Sequence, residues 1–466
     1  MDSTFAQLRQ SNSDLKVDIN RTRVIHAPSS TLRYTGVVYW MSRDSRIEDN
    51  WAFLYAQQIA IQNQAPLHVC FCLVTWFCNA GMRQFHFLLE GLKFVQQECK
   101  RLNVSFHLLD GSGDQVLLDW CNRNDVDVIV CDFNPTVKPM EWIHNLKKTL
   151  PGHMSLTQVD AHNILPCWRQ LSAPSTHSFR KIAVRKLNRY LTQFPDAKVH
   201  PYGTAKFPHV DWDALLQSRN ADTSVEPVTW AEAGYHGAIK TFTKFVKCRI
   251  QSYHELRNKP TEAVCSNLSP WLHFGQISAQ RVILHVKSLT NVKGDNIDTF
   301  VDECFIRREL ADNFCFYTKR YDSIEASAPN WALITLKAHE KDRRQYVYSL
   351  KVFENADTHD LLWNAAQIQL VREGKMHQYM RMYWCKKILE WSDDAQTALN
   401  YAIYLNDKYS LDGRDPNGYV GCLWSICGLH DRAWREIPIY GKIRYMNYNG
   451  CVRKFNVNHY INQYRK

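Results

Sequence analysis

GVVYWMSRDSRIEDNWAFLYAQQIAIQ, residues 36–62, opens with an apolar run, crosses a charged turn and enters a stretch with helical spacing. Gly36–Met41 reads as a strand and Asn50–Gln62 as a helix. The alternation continues outward: Leu67–Val74, Val104–Leu109 and Val126–Cys131 are further apolar runs, and Met82–Leu102 is a second helical stretch. Near-continuous apolar strands separated by helices are the pattern of a parallel sheet buried on both faces. The first third of the chain is therefore expected to be an α/β domain.

The texture changes after residue 165. Pro166, Pro174, Pro195, Pro201, Pro208 and Pro227 punctuate a polar stretch with one helical piece around Lys181–Tyr190, so residues 166–229 read as a connection between domains. After Trp230 the strand signal fades and long amphipathic segments follow, predicting an all-α second half over 230–466. Residues 33–165 form the first domain in this reading, and residues 1–32, which carry no motif, a flexible arm.

At 466 residues and 45% hydrophobic, the chain has the material for two or three packed domains, and a mostly disordered protein is excluded. The longest uncharged stretch near the front, 50–82 apart from single interruptions such as Gln57, Gln62 and Pro66, is too polar for a spanning helix. No signal-peptide core is visible, so an intracellular protein, in nucleus or cytoplasm, is expected. Fifteen scattered cysteines without a CxxC pair argue against a disulfide framework or a metal site. The net charge of +11 favours an anionic partner. From Ile437 to Lys466, Lys442, Arg444, Arg453, Lys454, Arg465 and Lys466 alternate with Tyr440, Tyr445, Tyr448, Phe455, Tyr460 and Tyr464, without one acidic residue. Cations mixed with flat rings suit phosphates and unstacked bases. A solvated basic face over a tyrosine-rich core is the plainer reading.

The common enzyme signatures, including GxxxxGK[ST], HExxH and GxSxG, are absent. Tryptophan stands out instead. Trp384 and Trp391 are seven residues apart, on one helical face, and Trp363 lies 21 residues before Trp384. Large aromatics at such spacing are usually core, but indoles in series can also pass an electron.

The blocks around these tryptophans resemble the class II cyclobutane pyrimidine dimer photolyases of the photolyase/cryptochrome family. They are MSRDSRIEDNW near the front, then CSNLSPWLHFG from Cys265, RRELADNF from Arg307, YMRMYWCKKILEW, LNDKYSLDGRDPNGYVGCLWSICGLHD and YGKIRYMNYNGC. The resemblance spans about residues 33 to 455. It implies a Rossmann-like α/β antenna domain joined to an all-α FAD-binding domain, and a light-dependent enzyme that splits cyclobutane pyrimidine dimers in UV-damaged DNA. It also implies FAD as cofactor, held by Tyr253, Cys265, Ser266, Asn267, Leu268, Ser269, Arg308, Arg381, Asn406 and Asp412, with Arg381 and Asp412 as a salt-bridged pair and Asn406 facing the flavin N5. A Ser/Asn-rich loop opening a helix offers hydroxyls and free N–H groups to a pyrophosphate.

By the same resemblance, Trp363, Trp384 and Trp391 are the electron-transfer chain that reduces FAD, with Tyr383 as a possible accessory. Glu303 would hydrogen-bond the flipped-out lesion, which Met382 and Trp424 would line. Arg257, Asp431, Arg432 and Arg444 would contact DNA, single- or double-stranded, with the protein a monomer. An antenna chromophore, deazaflavin or folate, is allowed. Where class I photolyases carry Trp-Arg-Glu after the carboxylate, this chain reads Ile306-Arg307-Arg308-Glu309, which leaves the stacking partner of Trp424 open. The alternatives are a cryptochrome-like photoreceptor, disfavoured by Asn406 and the short C-terminal remainder, a (6–4) photolyase, disfavoured by the absence of paired histidines, and a flavin-independent nucleic-acid-binding protein.

Overall fold

A computed structural model describes residues 16–219 and 221–465. Six strands form one sheet: β1 (Thr22–His26), β2 (Val37–Met41), β3 (Leu67–Leu73), β4 (Ser105–Asp110), β5 (Val128–Asp132) and β6 (Ser155–Val159). Their order is β1-β6-β5-β2-β3-β4, all parallel except β1, which runs antiparallel to β6. Helices α1 (Trp51–Gln62), α2 (Met82–Arg101), α3 (Gly113–Asn124) and α4 (Val137–Thr149) make the crossovers. Every residue of β2 and β5 is buried, as expected for central strands covered on both faces. The winding reverses between β2 and β5, and a crevice opens at the C-terminal ends of the strands on that side of the sheet.

Two expectations change here. Thr22–His26, assigned to an N-terminal arm, is the edge strand of the sheet; the arm's first fifteen residues lie outside the described residues. Arg21, beside that strand, is buried and donates to the carbonyls of Asn163 and Ile164 and to Gln280 Oε1. Residues 166–229 are not a loose connection either. They contain α5 (Thr176–Tyr190), which buries Phe179, Ala183, Leu187 and Tyr190, and α6 (Trp212–Ser218). Between them the chain lies along the sheet, with Phe194 against Trp51 and His200 N–H bonded to the Leu102 carbonyl.

The helical half includes α7 (Gly234–Cys248), α8 (Ser269–His273), α9 (Ala279–Lys287), α10 (Gly294–Val301), α11 (Arg308–Tyr317), α12 (Leu361–Glu373), α13 (Gln378–Glu390), α14 (Ala395–Tyr409) and α15 (Pro416–Cys427). A π-helical turn, Asp302–Arg307, joins α10 to α11. No helix among the described residues is long and apolar enough to cross a membrane.

The charged turn after β2 couples sheet to helices. Its backbone is gathered by Asp132, which accepts from the N–H groups of Ser42, Arg43 and Asp44. Arg43 then forms a bidentate pair with Asp312 of α11 at 2.7 and 2.9 Å, and Asp49 another with Arg281 of α9 at 2.9 and 2.6 Å. Arg46 reaches the carbonyl of Gly275 at 2.8 Å. A Cβ on Gly275, whose φ is +63°, would sit 2.4 Å from the Asp44 Cα, so only glycine permits this approach.

Glu309 of α11 lies buried in the same junction, accepting from the N–H groups of Ile164 and Leu165. Burial pushes its carboxyl up from 4.5 to about 8. An acid whose folded pKa is raised stabilises the fold fully below its unfolded pKa, and that stability is lost as pH rises through the folded value. Thermal unfolding should therefore show Glu309→Gln gaining on the wild type as pH rises from about 4.5 to about 8. Parallel pH profiles for the two proteins would refute this. Asp160, raised to about 6 by burial, is common to both proteins and drops out of the difference.

Candidate active site

One helix organises the expected site residues. α13 begins with Gln378, whose Nε2 donates to Glu303 at 3.3 Å. One turn on, Arg381 donates to Asn406 Oδ1 and, at 3.2 Å, to Ser410 Oγ. Met382 is half-buried beside it, and Tyr383, Trp384 and Cys385 are buried on the core side. The helix ends at Trp391.

The expected ion pair between Arg381 and Asp412 is not formed. Asn406 and Ser410 are four residues apart at the end of α14 and face α13 together, whereas Asp412 lies beyond the helix, half-buried in the following turn. Asn406 also donates to Asp407 Oδ1 at 3.0 Å. Gly418 gives its amide room, since a Cβ there would lie 2.8 Å from Asn406 Nδ2.

The three tryptophans are brought together, in an order that differs from their order in the chain. Trp384 and Trp363 stack with ring centroids 6.2 Å apart and planes 5° from parallel. Trp391 meets Trp363 edge-on, also at 6.2 Å, so Trp363 is the middle member. The Trp384 indole N–H is bonded to Gln367 Oε1 and that of Trp363 to the Trp384 carbonyl. Tyr383 is off this line, its hydroxyl donating to Asp360.

Glu303 is the centre of a second cluster. It accepts from Arg257 at 2.8 Å and lies 3.1 Å from Arg307 Nε, one turn away on the π-helical segment. Arg257, expected at DNA, is thus engaged by Glu303, whose carboxylate attracts the nearest guanidinium. The guanidinium of Arg307 stands 5.2 Å from the ring of Trp424. Arg307 and Gln378 were not among the expected residues. The i,i+4 spacing of Glu303 and Arg307 was a usable signal; nothing local marked Gln378.

The Cys265–Ser269 segment turns sharply through Asn267, whose φ is +59°, before α8 begins. Leu268 is buried; Cys265 and Ser266 are half-buried, Ser269 is exposed, and the Leu268 N–H leans to Ser266 Oγ at 3.4 Å. Tyr253 is buried against Phe245 and Phe300. Three cations surround Cys265: Arg249, which donates to its carbonyl at 3.1 Å, Arg257 and Lys375. His377, also unanticipated, lies 3.8 Å from the Cys265 thiol and is held neutral by burial, which lowers its pKa to about 4. Arg308, expected beside this segment, instead donates to the carbonyls of His162 and Cys304, because its face of α11 packs on the sheet junction.

Arg432 and Arg444 are exposed and share an unexpected partner, Trp434, at 5.9 and 4.6 Å from its ring. Trp434 is 41% exposed, so this indole between two guanidiniums is offered to solvent. Asp431 is half-buried at the root of the same loop.

Comparisons with known proteins identify the family. The sequence profile of the DNA photolyase family matches residues 37–198. A deoxyribodipyrimidine photo-lyase of Potorous tridactylus is 46% identical over 462 residues, covering 97% of this chain and 86% of the relative. One from Oryza sativa is 43% identical, covering 96% and 90%. Among solved structures, a class III photolyase from Agrobacterium tumefaciens superposes with a TM-score of 0.74 at 19% identity, covering 94% of this chain and 87% of its own, and shares the fold. With nearly full-length identity above 40% to such enzymes, this chain belongs to the DNA photolyase family, in its class II branch.

Proposed function

We propose that this protein is a light-dependent DNA repair enzyme that splits cyclobutane pyrimidine dimers, with reduced FAD as its cofactor. The observation that carries the reading is α13, which presents Gln378 to Glu303 and Arg381 to Asn406 while its other face begins the stack of Trp384 on Trp363. A lesion site and an electron relay thus share one rigid element.

The residues fit the cofactor. Arg249, Arg257 and Lys375 around Cys265 supply the positive charge that a pyrophosphate needs, and Ser266, Asn267 and Ser269 add polar groups. Arg381 and Asn406 would flank the isoalloxazine. When bound and reduced, FAD supplies the photoexcited electron that opens the cyclobutane ring, and that electron is returned at the end. The chain's own residues do the remaining work. Glu303, fixed by Arg257 and Gln378, accepts hydrogen bonds from the flipped bases. Met382 and Trp424 exclude water and contact the lesion rings. Trp384, Trp363 and Trp391 connect the site to the surface for reduction of the resting cofactor.

The crevice at the switch of the sheet fits an antenna chromophore: Trp40, Phe71, Phe77 and Trp142 give it flat apolar walls, and Arg43 and Arg414 give it cations. Arg414 Nη2 is buried without a partner among the described residues, a donor suited to a polar group of such a ligand. We place the enzyme on both single- and double-stranded damaged DNA, as a monomer inside the cell.

Repair of a thymine-dimer oligonucleotide by the purified protein tests the function, with dark and chemically reduced controls. Light-dependent loss of dimers is expected. Reduced flavin without repair would favour the photoreceptor reading. Trp434 and its arginines predict a further result: Arg444→Ala should weaken DNA binding and lower the steepness of the log–log salt dependence by about 1. An unchanged slope would remove Arg444 from the phosphate contacts.

A further inference from the structure

Class I members close the lesion pocket with a stacked indole next to the catalytic carboxylate, and this chain has none there. Arg307 stands beside the carboxylate instead. Its guanidinium faces the Trp424 ring at 5.2 Å, within cation–π range, while its Nε lies 3.1 Å from Glu303 and 3.3 Å from Asp302. Arg180 holds Asp302 from the other side at 2.5 Å, and Arg257 holds Glu303 at 2.8 Å. Three guanidiniums thus face two carboxylates, leaving one positive charge in excess. Arg307 is also the member of the cluster that touches Trp424, and its side chain is one-third exposed.

We propose that Arg307 is a positioning residue for the repair step, serving as the second wall of the lesion pocket in place of an aromatic ring. Two consequences follow from the geometry. The guanidinium plane fixes the angle of Trp424, a role that a stacked ring would otherwise fill. It also offsets the charge of Glu303. A lesion that has accepted an electron next to an unbalanced carboxylate would meet its repulsion. With Arg257 and Arg307 on Glu303 the field at that place favours the added electron. Glu303 and Arg307, four residues apart within the helical run, lie on the same side of it, which allows both contacts.

This inference rests on the repair function proposed above. The test uses the full chain with reduced FAD and a thymine-dimer oligonucleotide at saturation, comparing wild type with Arg307→Met, Arg307→Lys, Glu303→Gln and the Glu303→Gln/Arg307→Met double variant. Three quantities are read: repair yield per absorbed photon, lesion affinity in the dark, and flavin photoreduction without DNA. Arg307→Met should lower the repair yield about fivefold, the scale of one partly desolvated cation contact. Arg307→Lys should recover part of it, and photoreduction should be unchanged in both Arg307 single variants. Removing Glu303 first should shrink the effect of Arg307→Met, since the two act together. Wild-type yield in Arg307→Met with only affinity reduced would overturn the proposal and make Arg307 a DNA-phosphate contact. Equal losses in both backgrounds would also overturn it. Absence of repair by wild-type protein holding reduced FAD would instead reject the repair function itself.

Discussion

Trp384→Phe leaves the protein unable to photoreduce its flavin, while chemically reduced variant still repairs dimers. This is the expected result if the tryptophan stack is the relay. Phenylalanine keeps most of the packing at a buried position but is far harder to oxidise than indole. Trp384 stands at the head of the series, stacked on Trp363, and no other ring among the described residues pairs with Trp363 in parallel. Gln367 loses its donor in this variant, which costs about 1–3 kcal/mol, so unfolding temperature should be measured alongside. The check is loss of oxidised-flavin absorption under blue light with an added thiol. Photoreduction at the wild-type rate would show that electrons enter by another route. The separation between the two assays matters: loss of both activities would mean a damaged flavin site.

The second large effect is on stability. Asp312→Ala removes the partner of Arg43, whose guanidinium is buried at the junction of sheet and helices. Breaking a buried pair from one side leaves an uncompensated charge and costs about 3–5 kcal/mol. Asp312 also accepts from Asn163 Nδ2 at 2.8 Å, so that amide is left with the longer bond to Asp160 Oδ2, at 3.2 Å. Denaturant unfolding should show the midpoint falling sharply for Asp312→Ala. Asp312→Asn, which keeps an acceptor for Arg43, should lose less. Equal and small losses would mean that the junction reorganises around the free arginine.

Four strands, β2 to β5, were legible as apolar runs, which in β2, β3 and β5 follows from burial on both faces; Gly36–Met41 contains β2 with one residue to spare. β1 and β6 escaped because polar residues interrupt their apolar ones. TRVIH and SLTQV hold no apolar run longer than two residues, although β6 lies inside the sheet and is nearly all buried. The tryptophan cluster was legible as a spacing, but Trp363 as its middle member depends on how α12 packs on α13, which a linear sequence does not contain. The family blocks located Glu303, Asn406 and Arg381. Which partner each one chooses is a matter of geometry: Arg381 turns to Asn406 and Ser410, and Arg257 to Glu303. Trp434 lies among arginines in Asp431-Arg432-Ala433-Trp434-Arg435, but its place between Arg432 and Arg444 is set by how the loop folds back, which the local sequence does not contain.

β1 pairs with β6, and Arg21 beside it is bonded to Ile164 and to Gln280. During synthesis the amino-terminal strand therefore leaves the ribosome long before its neighbour exists, and its anchoring arginine waits longer still, until α9 has been made. A long-range closure of this kind comes late and exposes an open sheet edge in the meantime. The nascent chain must be carried across that interval, and a substitution at Arg21 would act on the yield of folded protein more than on the chemistry of the finished enzyme.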